Sequence, residues 1–454
     1  MIPVLPLLLV LCVSSPVANA KISSLKSNAV CSGHRADLPM LISVSIPLSS
    51  RTWLPLNHRR GPCSPFSSSE TIPSTGDVLH RDRLRADSIR KGLNGTAAAK
   101  RGDVTVATTL GSSLGTLEYV VTVGLGTPAA TQTVYMDTGS DVTWVQCRPC
   151  PAATCHPQKD PVFNPARSAT YSAVRCGSAA CKGLDRDRYG NGCSRRLCQY
   201  LVKYGDSSNT TGTYSADKLT LTPSYAVDHF QFGCSHAAHL FSDKADGLMG
   251  LGGGSRSLVS QTAMKAFSYC LPPTASYSGF LTLGVPRASS SRFVVTPMYR
   301  SSNVDTFYLV LLQGITVAGR RLNVPPSVFT ARAVMDSGTI ITRLPPKAYR
   351  ALRAAFRKEM KMYPRVASSS TILDTCFNLS GVVGDVKVPS VALVFEKGAT
   401  VELDPSGIII NDCLAFAPTG GDESVGIIGN VQQRTLEVLY DIGGGAVGFR
   451  GGAC

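Results

Sequence analysis

Charge is scarce in this chain. Only 17% of its 454 residues are Asp, Glu, Lys or Arg, against 43% apolar residues. Long apolar runs are missing too. The uncharged N-terminal stretch, Met1 to Ala20, holds an apolar run from Val4 to Val13, far short of the ~20 residues that cross a bilayer. The C-terminal Gly451-Gly452-Ala453-Cys454 has none of the apolar tail of a lipid-anchor signal, so no membrane anchor is expected. There is no zinc finger, no aromatic run of the RNA-binding type and no dense basic stripe after residue 115. The net charge of +15 therefore does not point to a specific nucleic-acid partner. Gly250 to Gly254 lacks the Lys-Ser/Thr that completes a phosphate-binding loop.

What is present is small and turn-forming. With 42 Gly and 28 Pro, short strands joined by turns suit the chain better than long helices. The length leaves room for more than one ordinary domain. Met1 to Ala20 ends in Ala18-Asn19-Ala20, a small-x-small cleavage pattern, and reads as a cleaved secretory signal although it lacks a basic start. A secreted or apoplastic destination is expected, with vacuole or plastid as alternatives.

Fifteen cysteines fit that route. Cys12 lies in the leader, and Cys31 and Cys63 come after it; twelve remain beyond residue 116, an even number suited to disulfides in an oxidising compartment. Cys147-x-x-Cys150 and Cys234-x-His236-x-x-His239 have zinc-like spacing, but the compartment favours disulfides, so neither metal nor cofactor is expected. Spacing alone leaves the pairing open.

Residues 21–115 differ in composition from the remainder of the chain. They are Ser- and Arg-rich, with 13 Lys/Arg against 6 Asp/Glu, so they supply +7 of the net charge. A short, highly charged helical pattern runs from His80 to Leu93. Gly111-Ser112-Ser113-Leu114-Gly115 matches the nucleophile elbow of serine hydrolases, but that motif needs a strand before it and here the strand, Tyr119 to Val123, comes after. From Leu117 strands dominate. Tyr200 to Leu221 alternates around a polar turn and predicts a hairpin. Residues 147–200 form a cysteine-dense insert, expected as a stapled surface loop. Pro345 and Pro346 open the clearest helix, Lys347 to Met360, with Tyr349, Leu352, Phe356 and Met360 on one face.

Two segments carry the chemistry. Met136-Asp137-Thr138-Gly139-Ser140 and Met335-Asp336-Ser337-Gly338-Thr339 each set an acid after an apolar run and before a hydroxyl residue and a glycine. The acids lie 199 positions apart. Two carboxylates presented alike by two similar halves suggest one site on a pseudo-twofold axis. Like charges at contact distance share a proton, so one can take a proton while the other gives one. Trp144 comes shortly after the first motif, Tyr204-Gly205-Asp206-Ser207-Ser208 resembles a flap, and a glycine loop trails each half: Asp246 to Gly252, and Gly426 to Asn430.

These five features in this order resemble the pepsin-like aspartic proteases, and in particular the cysteine-rich nepenthesin-type branch of plants. The resemblance covers roughly residues 116–454. It implies an all-β, bilobal fold with the cleft between two barrel-like lobes, residues 116–295 and 296–454, after a leader (1–20) and a prosegment (21–115). The stretch Asn57 to Pro65 looks like the prosegment of that branch. A basic segment ahead of an acidic pair would neutralise it near neutral pH and lose its hold as the acids protonate.

By resemblance, Asp137 and Asp336 are the catalytic pair, acting on protein or peptide substrates through a water, with an acidic optimum. Gly139 and Gly338 allow close approach. Thr138 and Ser337 cross-link the two loops, and Ser140 and Thr339 bond the outer oxygens of the acids. Trp144 supports the pair, and Tyr204 closes over substrate. Ser207 stands where the plant pattern commonly has glycine. The resemblance also implies the disulfides Cys147–Cys150, Cys155–Cys234, Cys176–Cys198, Cys181–Cys193, Cys270–Cys454 and Cys376–Cys413. Sequons place glycans at Asn94, Asn209 and Asn378. A monomer is expected. Two other classes stay in view: a silent relative acting as an inhibitor or binding protein, and a polyanion-binding role on the same fold.

Overall fold

The computed structural model describes residues 52–58, most of 79–89, and 119–454 except 206, 240–243, 263, 274–276, 285–292, 302, 369, 371 and 383. The expected leader, the sequon at Asn94, the Gly111–Gly115 motif and Cys12, Cys31 and Cys63 lie outside the described residues. Among those residues, no helix is long and apolar enough to cross a membrane.

β-strands are the main regular structure among the described residues. Tyr119–Leu125 turns back through Gly126 to Pro128 and pairs antiparallel with Ala130–Asp137, Val120 opposite Tyr135 and Leu125 opposite Ala130. This hairpin delivers the first acid at its end. The expected flap hairpin forms from Leu197–Lys203 and Asn209–Thr222, with Lys203 opposite Asn209 at the turn.

Both halves use one device to present an acid. The strand ending at Asp137 runs parallel to Gly247–Gly250, with Gly250 opposite Asp137. The strand Ala333–Met335, which leads into Asp336, runs parallel to Gly426–Ile428. The trailing glycine loops of the sequence are therefore the partner strands of the two acids. Glycine is required there by space: a Cβ on Gly247 would meet the Trp144 carbonyl oxygen at 1.9 Å, and one on Gly429 the Ile340 carbonyl oxygen at 2.5 Å.

The two halves share a sheet. Ala266–Cys270 pairs with Glu437–Asp441, which pairs with Ala446–Arg450, which pairs with Val294–Pro297. Phe267 stacks on Tyr440 across that junction with centroids 4.5 Å apart. The division expected near 295 falls inside the strand Val294–Pro297. Thr52–His58 enters the same sheet, antiparallel to Ser278–Leu283 and, at its end, to Tyr119–Leu125. The segment before residue 116 is thus built into the fold at this place and is not merely a linker.

The predicted helix spans Pro346–Glu359 and buries Ala348, Tyr349, Leu352 and Phe356, with Met360 buried just beyond it. The insert departs from the expected surface loop. It contains a helix, Ala179–Arg186, and a hairpin, and it buries Cys181, Leu184, Tyr189, Cys198 and Tyr200 against Trp144 and Tyr204 beneath the flap.

Six disulfides join the twelve expected cysteines, but four have partners other than those implied by resemblance. Cys270–Cys454 and Cys376–Cys413 are as expected. Cys147 pairs with Cys234, because the strand Trp144–Gln146 runs parallel to Tyr225–His239 and brings their Cα atoms to 5.3 Å. Cys150 and Cys155 close a separate turn that collects both the Thr154 and Cys155 N–H groups on the Pro151 carbonyl. Burial sorts the rest. Buried Cys198 takes buried Cys181, and exposed Cys193 takes Cys176.

Candidate active site

The two acid loops meet at the junction of the halves. Thr138 and Ser337 exchange hydrogen bonds: the Thr138 N–H donates to Ser337 Oγ (3.0 Å), and the Ser337 N–H donates to Thr138 Oγ1 (2.9 Å). Their hydroxyls in turn donate to Met335 and Met136 carbonyls, each at 3.3 Å. Each acid is also held from its own loop. Ser140 Oγ donates to Asp137 Oδ2 and Thr339 Oγ1 to Asp336 Oδ2, both at 2.6 Å, while the Gly139 and Gly338 N–H groups donate to the inner oxygens. Thr138, Gly139 and Ser140 from one loop and Ser337, Gly338 and Thr339 from the other thus form a near-symmetric constellation around the pair. A Cβ on Gly139 would lie 2.8 Å from Asp336 Oδ1, and one on Gly338 2.5 Å from Asp137 Oδ1, so only glycine lets the opposite carboxylate come this close.

Both carboxylates are buried. Burial pushes the Asp137 carboxyl above its usual range; a nearby guanidinium pulls it back, and the Asp336 charge adds to the rise. That guanidinium is Arg85, which sequence reasoning missed as an individual residue. Its Nη2 donates to Asp137 Oδ1 at 2.7 Å and to Asp336 Oδ1 at 2.6 Å, and its Nε donates to Asp336 Oδ2 and Thr339 Oγ1, each at 2.8 Å. Burial opposes the arginine's charge, but the two carboxylates outweigh it and hold it protonated. Arg85 belongs to the helical segment within residues 79–89, inside the charged pattern expected from His80 to Leu93. The signal available was a basic residue on the buried face of that pattern, next to Ala86 and Ile89.

Tyr204 sits at the flap base, where its hydroxyl accepts from Trp144 Nε1 at 2.7 Å. The turn closes by Tyr204 N–H to Ser208 and Ser207 N–H to Tyr204. Ser207 has φ of 73°, the left-handed conformation that suits glycine. Asn209 begins the return strand, half-buried, and Asn378 is exposed.

Asp141, directly after the first motif, also escaped the sequence reading. It is buried and accepts from the Gly254 N–H (2.9 Å), Thr306 Oγ1 (2.6 Å) and Tyr189 Oη (3.0 Å). Burial raises its carboxyl to about 6. It ties the acid loop, the glycine loop, the insert and the segment entering the second half. Among the described residues no cluster of His, Cys, Asp and Glu could hold a metal.

Residues 119–285 match the family described as xylanase inhibitor N-terminal, and residues 307–451 match its C-terminal counterpart. An aspartyl protease family protein of Arabidopsis thaliana is 44% identical over 422 residues, covering 89% of this chain and 88% of that protein. Nepenthesin-1 of Nepenthes gracilis is 31% identical, covering 90% of this chain and 95% of its own length; nepenthesin-2 of the same plant is 36% identical over 73% and 77%. Among solved structures, that of edgp superposes with a TM-score of 0.60 at 23% identity over 76% of this chain and 94% of that one. Basic 7S globulin from soybean gives 0.57 at 21% identity over 73% and 92%. At those identities the likeness is one of fold.

Proposed function

The chain belongs to the plant, nepenthesin-type branch of the pepsin-like aspartic proteases, an endopeptidase family, and from that membership we propose that it is a latent precursor whose Asp137–Asp336 pair hydrolyses peptide bonds once Arg85 has left. A single atom carries the reading. Arg85 Nη2 bonds both inner carboxylate oxygens at once, so it occupies the point that a water shared by the pair would take. In the emptied site the ionised acid draws a proton from that water as it attacks the scissile carbonyl, and the protonated acid donates to the carbonyl oxygen. The pair titrates as a unit, so neither acid is assigned one role. Activity then needs one charged and one neutral carboxylate, which favours acidic pH.

The matched family carries the name of xylanase inhibitors, but here both acids keep their full set of hydroxyl and backbone donors, which supports hydrolysis over a purely inhibitory role. Residues 21–115 act as the prosegment, contributing the strand Thr52–His58 and the helix that carries Arg85. Six disulfides support an oxidising, secretory destination, with substrates that are proteins or peptides.

The test is proteolysis of a denatured protein by the acid-treated chain. Asp137→Asn and Asp336→Asn should each lower the rate by at least about 100-fold while leaving the circular dichroism spectrum unchanged. Near-wild-type turnover by either folded variant overturns the assignment.

A further inference from the structure

The helix that carries Arg85 is held at a second point. Asp82, one turn earlier, is fully buried. One of its oxygens accepts from the Ile340 N–H at 2.5 Å and both lie within reach of the Ile341 N–H, at 3.4 and 3.3 Å. Its Oδ2 also accepts from Arg343 Nη2. All of these donors belong to the segment that comes immediately after Asp336. None departs with the helix.

The site is therefore built for a carboxylate independently of Asp82. Two successive backbone N–H groups and a guanidinium whose side chain is 3% exposed converge on one carboxylate position. Arg343 Nε is buried and has no hydrogen-bond partner, so one donor beside the engaged nitrogen is left over for a second acceptor oxygen. A cavity of about 230 Å³ adjoins it, and the walls that stay when the helix leaves are Arg343, Ile372, Ala417, Pro418, Thr419 and Gly420.

We propose that this pocket is a substrate subsite for an acidic side chain, and that the prosegment's Asp82 occupies it as a stand-in for substrate. The inference rests on the endopeptidase reading above and adds to it a substrate class: peptides with an Asp or Glu near the scissile bond. An empty pocket leaves a desolvated cation without a partner; a carboxylate supplies two oxygens to it and to the backbone donors, while a neutral amide brings no charge and a lysine side chain repels. Hydrogen bonds to a charged group of this kind correspond to about a 10- to 100-fold preference.

The experiment uses the acid-treated chain and a fluorescent peptide along which Asp is walked one position at a time, each peptide matched by its Asn and Lys forms. At one position kcat/KM should favour Asp over Asn by about 10- to 100-fold near pH 5, with Lys poorer still. Arg343→Met should erase the preference at that position. If this variant does not fold, the wild-type scan decides alone. Efficient cleavage with equal rates for Asp and Asn at every position overturns the subsite and leaves the endopeptidase reading intact. If nothing is cleaved, anisotropy of the same peptides on the same sample reads the pocket directly: tighter binding of the Asp forms supports the subsite while hydrolysis falls, and equal binding overturns the subsite.

Discussion

Arg85 decides the state of the site. One guanidinium satisfies three carboxylate oxygens and a hydroxyl, so both acids are occupied at neutral pH. Its charge lowers the Asp137 pKa relative to the same buried carboxyl without it. The grip is therefore complete where both acids are ionised and is lost as pH falls and the pair takes up a proton. Asp82 has the opposite sign: burial raises its carboxyl above the solvent value, so acid alone does not expel it from its pocket. Release must begin at the dyad. Arg85→Met should shift the onset of precursor processing toward neutral pH, with at least about tenfold faster processing near pH 6, since the charge-assisted bonds are each worth about 1.5–3 kcal/mol. Gel analysis of the precursor over a pH series measures this; an unchanged onset would place latency elsewhere.

At the scale of elements, the insert is the part most altered from expectation. Its helix and hairpin bury a face beneath Trp144 and Tyr204, and Tyr189 reaches the acid loop through Asp141. The flap is thereby seated on a disulfide-bonded platform. Cys147–Cys234 fastens the strand after the first acid to Tyr225–His239, which pairs with the flap's return strand. Proteolysis of the unreduced protein, with mass spectrometry of the fragments, should recover Cys147 linked to Cys234 and Cys150 linked to Cys155. Recovery of Cys147–Cys150 would refute this pairing. Replacing both Cys147 and Cys234 by Ala should cost about 2–5 kcal/mol in denaturant unfolding.

For the whole molecule, buried acids set the pH range of stability. Asp246 lies behind the first-acid strand, accepting from the Thr133 N–H at 2.5 Å and the Asp160 N–H at 3.1 Å. Burial, reinforced by the neighbouring Asp160 carboxyl, pushes it to about 8. A raised carboxyl contributes stability that is complete below its unfolded value and is lost as pH rises through the folded one. Asp141, raised to about 6, acts in the same direction. The melting temperature of the mature protein should fall between about pH 4 and pH 8, and Asp246→Asn should flatten that fall. Scanning calorimetry over this range is the check; an equal slope in the variant would remove Asp246 from the account.

Local patterns carried much of this protein in the sequence. Each acid, its hydroxyl neighbour and its glycine are contiguous, so the duplicated motif was legible without any fold. The helix at 346–359 was legible because periodicity and a proline start are local signals. The even cysteine count announced disulfides, and the Tyr200–Leu221 alternation announced a hairpin. The rest depended on which distant segments share a surface. Disulfide partners obey strand adjacency and burial, which spacing does not encode. Arg85 and Asp82 looked like ordinary charges on a helix until folding placed them against Asp336 and Arg343, 251 and 261 residues away. Asp141 gained its role only when the glycine loop, the insert and Thr306 closed around it. A side chain's type is written in the sequence. Its charge state and task come from desolvation and partners, and those exist only once the chain has closed on itself.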